Sequence, residues 1–274
     1  AYFKARDAES LPARAGYALL FALGAFFGAQ LRFTTVIAAI ACLIAALFEK
    51  RVKLTAILAV PLALCFAIGG AAIQAENEKH LGAENIRNNK LPVLHFVLMG
   101  LPVQSDEGYG QYGDGGWLIF TTSFDSPQAR DAALRQKFID RVYTLAHHPD
   151  MLLSSLSRKN LSTFGRGTFE LNEIFEADEH EPNNALKQVV FAQGRWNRAY
   201  THLATALFLA QMLLACVACA QAVHRRDTSA APLFLTLLGA FLFLCIWETR
   251  ARYFFQFMMV LLCAGAMFAP KRAD

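Results

Sequence analysis

Apolar residues in this chain run in long uninterrupted segments, not in the alternating or one-sided patterns of a soluble fold. Six such segments stand out, at about 16–31, 33–48, 54–75, 202–223, 231–247 and 253–269. A bilayer span needs roughly 17–25 residues, so the third and fourth are comfortable and the others short. Only "LRFTT" separates the first two, which leaves Arg32 inside a nearly continuous apolar stretch. Two short helices turning at Arg32 are expected there, in preference to one long tilted span.

Between the third and fourth segments, residues 77–200 read as a folded domain. Aromatic and aliphatic residues are spread throughout it, and it has no low-complexity tract. "SPQARDAALRQKFIDRVYTLAHHPD" predicts a helix with Ser126 as N-cap, Pro127 in the first turn and Pro149 closing the run. Leu134, Phe138, Val142 and Leu145 form its expected apolar stripe. A short helix over 151–157 follows. "LPVLHFVLMGLP" (91–102) is too short to span and suits a buried strand or a helix lying against the membrane. The glycine-rich "SDEGYGQYGDGGW" (105–117) predicts an irregular loop.

Composition agrees with the pattern. The 274 residues are 55% hydrophobic and only 18% charged, which excludes an ordinary soluble domain and points to a polytopic, mainly α-helical membrane protein. The expected organisation is 1–76 with three membrane helices, 77–200 as a mixed, mainly helical outer domain, and 201–274 with three more. The net charge of +4 is unevenly placed: residues 77–200 carry 13 Lys/Arg against 15 Asp/Glu. The positive excess therefore lies in the membrane portion, where it bears on topology. No basic tract suggests nucleic acid. "KARDAESLPAR", "EKRVK", "HRRD" and the tail "KRAD" fall on one side if the segments alternate, and that side is expected to be cytoplasmic. Residues 77–200, "LRFTT" and "ETRAR" then lie outside.

All six cysteines lie in apolar stretches, so a disulfide-stapled outer domain is excluded. Cys216 and Cys219 have CxxC spacing, but a thiolate pair is costly in a lipid-length run and packing is favoured. The acidic "FEADEHEPNN" reads as a solvated loop, and no metal or cofactor is expected. The chain opens on Ala1 with no signal peptide, and is expected to begin partway through a larger protein or to work with a partner membrane subunit.

Chemistry concentrates on the outer-face charges. A guanidinium at the edge of the hydrocarbon is costly unless paired or hydrated, and its planar fork of donors matches phosphate oxygens. Arg32, Arg250 and Arg252 are therefore candidates to grip a lipid phosphate, with Lys159 in "SRKNLSTFGRGTFE" beside an anionic headgroup. The bland alternative is snorkelling to headgroups, with Glu248 paired to an arginine. Tyr109, Tyr112 and Trp117 can stack on sugars, and His95, Glu248 and Tyr253 complete a candidate set of substrate contacts. His147 and His148 suit a helix-end capping role.

Three stretches carry a family resemblance. "ALGAFFGAQLRFTTVIAAIACLIAALFEKR", the pair "LHFVLMGLP…GYGQYGDGGW" and "HHPDMLLSSLSRKNLSTFGRGTFE", and "WETRARYFFQFMMVLL" together resemble the C-terminal half of a bacterial GT-C fold membrane glycosyltransferase. The likeness is to the protein-mannosyltransferase-like enzymes of cell-wall and exopolysaccharide systems, although that family often has Pro where this chain has Phe33. The resemblance implies a multi-pass cell-membrane enzyme. It would move a sugar from a polyprenyl-phosphate donor to a cell-surface glycan or protein acceptor. In the family a carboxylate on the first outer loop activates the acceptor. No loop here corresponds, so that acid is expected outside this chain, with Asp114 as the alternative. An O-antigen-type ligase or polymerase is the nearest other enzyme. A transporter or scaffold of a surface-polysaccharide system is the non-enzymatic alternative.

Overall fold

A computed structural model describes residues 1–102, 116–165, 167–169, 171, 184–248 and 250–267. It is mainly helical, and among the described residues four helices are long and apolar enough to cross a membrane. Fourteen helices are labelled here in chain order. The chain divides into two units, one of residues 1–89, 216–240 and 266–274, the other of 90–215 and 241–265.

The first unit begins with α1 (Tyr2–Asp7), α2 (Leu11–Leu31), α3 (Val36–Phe48), α4 (Val52–Leu81) and α5 (Ala83–Asn89). Ser10 caps α2 by accepting from the Ala13 N–H, with a proline in the first turn. The break expected at Arg32 is present. Arg32 adopts extended φ −149°, and its N–H closes α2 on the Gly28 carbonyl at 2.8 Å. A 3₁₀ turn over Phe33–Thr35 then starts the next helix. Thr35 folds back so that its hydroxyl donates to the Gly28 carbonyl at 3.3 Å. A Cβ at Gly28 would stand 2.7 Å from the Thr35 methyl, so the turn needs glycine there.

Small residues let α2 and α4 approach: Ala18, Ala22 and Ala25 are buried on α2. Tyr2, Ala5, Ala46, Leu54 and Leu58 complete this core. The outward faces carry Leu19, Leu20, Leu23 and Phe27 on α2 and Val60, Leu64 and Ile68 on α4, all exposed. In lipid that exposure has no hydrophobic cost, which is why such helices can be apolar all round. At one end of the unit Glu49 pairs with Arg51 at 3.1 Å and Arg6 at 3.6 Å, and Arg51 donates to the Arg6 carbonyl. The basic stretches before α2 and before α4 therefore meet.

The second unit contains α6 (Val93–Gly100), α7 (Trp117–Thr122), α8 (Pro127–His147), α9 (Pro149–Phe164) and α10 (Ala185–Val190). It also holds the first part of α11 (Asn197–His224), the end of α12 (Ala231–Ile246), α13 (Ala251–Phe255) and α14 (Met258–Ala266). The strand-or-helix alternative for 91–102 resolves as helix. Ser126 caps α8 as expected, accepting from the Ala129 N–H at 3.2 Å. The buried face of α8 is Arg130, Leu134, Arg141 and Leu145; Val142 of the expected stripe is exposed instead. Arg141 explains the shift, because it donates to the Leu101 carbonyl and lies 5.6 Å over the Trp117 ring. Leu98, Met99, Trp117 and Leu134 form the core of α6 to α8. The expected helix over 151–157 is longer, running the full length of α9. The last apolar segment is not one span but two short helices, α13 and α14.

Candidate functional site

Where α12 ends, the chain leaves an apolar helix and delivers Trp247, Glu248, Arg250 and Arg252 in quick succession. This junction is built against α6 and α9. Trp247 stacks on Phe96 of α6, with ring centroids 5.3 Å apart and planes 13° from parallel, and on Phe243 one turn back. The Glu248 N–H donates to the Phe96 carbonyl at 3.1 Å. Gly100 closes α6 directly against the junction: a Cβ there would meet the Ile246 carbonyl oxygen and the Trp247 backbone.

Lys159 of α9 locks this arrangement. Its side chain is 1% exposed, and its ammonium donates to the carbonyls of Gly100, Trp247 (2.5 Å) and Cys245 (3.1 Å). All three acceptors lie at helix C-terminal ends, where carbonyls lack intrahelical partners and the helix dipole favours a cation. One lysine thus caps α6 and α12 together. Burial pushes its pKa down to about 7, against the charge of Glu248, which pulls it back up. Lys159 was expected beside a lipid headgroup; the structure places its three donors on protein carbonyls.

Glu248 is 6% exposed. Its Oε1 accepts from the Tyr253 hydroxyl at 2.8 Å, while Oε2 is buried with no hydrogen-bond partner among the described residues. Burial raises its pKa above the usual carboxylate range; the Tyr253 hydrogen bond and the charges of Arg250, Arg252 and Lys159 oppose that rise. Arg250 is half-buried and extended at the start of α13, and the Arg252 guanidinium lies 5.9 Å from the Tyr253 ring centre. His95 of α6 is fully buried, its Nδ1 2.7 Å from the Thr121 hydroxyl. Burial lowers its pKa.

The second unit therefore gathers Lys159, Glu248, Arg250, Arg252 and Tyr253 around one junction, with His95 on the adjoining helix. Trp117 is buried under Arg141 in the core of α6 to α8, not presented as a stacking platform. Arg32 belongs to the first unit, exposed at the α2–α3 turn. Asp114, Tyr109 and Tyr112 lie outside the described residues, as does most of "FEADEHEPNN". His147 takes the capping role, its Nδ1 2.8 Å from the Tyr143 carbonyl. Sequence reasoning missed the triple carbonyl grip on Lys159 and the core position of Arg141. The only signal for either was a cation among apolar neighbours.

A family model described as conserved hypothetical integral membrane protein matches residues 2–273. The chain belongs to that family. It is an integral membrane protein with several apolar helices. No curated protein matches the chain, and no solved structure matches it. None of these comparisons supports the glycosyltransferase resemblance.

Proposed function

We propose that this chain is part of a cell-membrane glycosyltransferase that draws a sugar from a polyprenyl-phosphate donor for a cell-surface glycan or protein acceptor. Residues 77–200 lie outside the membrane in this reading. The observation that carries it is the junction after α12. There two arginines and a buried glutamate paired with a half-buried tyrosine follow directly on a lipid-length apolar helix. A lipid-linked substrate has the complementary form, an apolar tail ending in a phosphate and a sugar. Arg250 and Arg252 supply charge-assisted donors for the phosphate, and Arg32 is assigned the same role at its own turn. Lys159 serves the site indirectly, by fixing the backbone on which Glu248 and Arg250 sit.

The test is substitution in the complete protein in its native membrane. Arg250→Ala and Arg252→Ala are each expected to abolish sugar incorporation into the cell envelope while membrane levels of the protein stay normal. Near-normal incorporation by both would remove the phosphate-grip assignment.

A further inference from the structure

Glycosyl transfer to a hydroxyl needs a proton acceptor. Among the described residues of the second unit, the buried groups Lys159, His95 and Glu248 are candidates. Lys159 is excluded by its geometry, since its ammonium hydrogens point at three carbonyls. His95 is fully buried and engaged with Thr121 through Nδ1; its Nε2 is buried without a hydrogen-bond partner among the described residues, but no arginine follows it closely in the chain. Glu248 has one oxygen held by Tyr253 and the other buried without a hydrogen-bond partner among the described residues, and unlike His95 it is followed closely by Arg250 and Arg252.

We infer that Glu248 is the carboxylate that activates the acceptor hydroxyl, with Oε2 as the proton-accepting atom. The assignment rests on the proposed transferase reading. Three observations support it. The Phe96 carbonyl fixes the Glu248 backbone, and the Tyr253 hydroxyl fixes Oε1, so the carboxylate is oriented before substrate arrives. Oε2 has no hydrogen-bond partner among the described residues, although the side chain is more than nine-tenths buried. Leaving a buried carboxylate oxygen unsatisfied costs free energy that an idle structural pair avoids. Finally, Arg250 and Arg252 follow within four residues, so the groups suited to base and to leaving-group stabiliser share one short segment.

The step balances as follows. Oε2 takes the proton of the acceptor hydroxyl, and the acceptor oxygen forms its bond to the anomeric carbon. The bond from that carbon to the donor phosphate oxygen breaks, and its electron pair leaves with the polyprenyl phosphate. The added negative charge faces Arg250 and Arg252. The proton remains on Glu248 until solvent removes it.

The test uses the complete protein in lipid nanodiscs, polyprenyl-phosphate mannose and polyprenyl-phosphate glucose as donors, and an envelope fraction as acceptor. For Glu248→Gln, turnover is expected to fall at least ~100-fold, within the range general-base removal produces, with donor affinity retained within about threefold. Glu248→Asp is expected to recover part of the loss. The wild-type rate is expected to fall on the acid side with a limb that Glu248→Gln lacks. A loss smaller than ~100-fold, or donor binding lost together with turnover, overturns the base assignment while leaving the transferase reading in place. Wild-type protein that transfers neither sugar overturns both.

Discussion

The Tyr253 hydroxyl donates to Oε1 of Glu248 at 2.8 Å, across the turn that joins α12 to α13. That bond favours the charged carboxylate, and burial opposes it. Tyr253→Phe removes the donor, so the Glu248 pKa rises further. The acid limb of the pH–activity profile is then expected to move to higher pH, with activity at the plateau less affected. An unmoved limb would separate Glu248 from the titration that limits turnover.

Lys159→Ala is expected to destabilise the protein by about 3 kcal/mol, since it opens a void and orphans three carbonyls in a sealed site. The pH dependence has a definite sign. The lysine pKa falls from 10.5 in the unfolded chain to about 7 in the fold. Between those values the unfolded chain holds a proton that the folded chain has released, so unfolding takes up a proton and stability rises with pH. Thermal unfolding in detergent from pH 7 to 10 checks this: wild type is expected to show the rise, and Lys159→Met to lack that component.

Gly100→Ala places a methyl group against the Ile246 carbonyl and the Trp247 backbone. Neither is a flexible side-chain end, so α6 and the junction must separate. A loss of about 3 kcal/mol is expected, together with weaker Trp247–Phe96 stacking that near-ultraviolet circular dichroism can follow.

How far the sequence reveals this arrangement depends on whether the determining interaction is local. The Ser126 cap, the Pro127 start and the break at Arg32 were legible, because their partners lie within a few residues. The polar junction in "WETRARYFF" was visible as charge between two apolar runs. What Lys159 does was not legible: its acceptors are backbone carbonyls 59 to 88 residues away, which no side-chain pattern announces. Val142 is apolar and in register with the stripe, yet it is exposed. Arg141 displaced it by reaching a carbonyl and an aromatic face at once. The final apolar run, 253–269, lacked any sign of its break after Phe255, since hydropathy alone does not record where a helix turns.

Topology has an independent check. With the native cysteines replaced, a cysteine introduced at Asp114 is expected to react with an impermeant maleimide added to intact cells. Reaction only after permeabilisation would place residues 77–200 on the cytoplasmic side and move the junction to the wrong face for an outer-leaflet donor.

The central claim is tested most directly by sugar transfer itself. Isotopically labelled polyprenyl-phosphate mannose or glucose is supplied to the complete protein in nanodiscs with an envelope fraction, and label in the acceptor is counted for wild type and Arg250→Ala. Transfer by wild type with at least ~100-fold loss in Arg250→Ala is the predicted result, the scale expected for losing a charge-stabilising donor. No transfer by wild type, or equal transfer by the two proteins, contradicts the account.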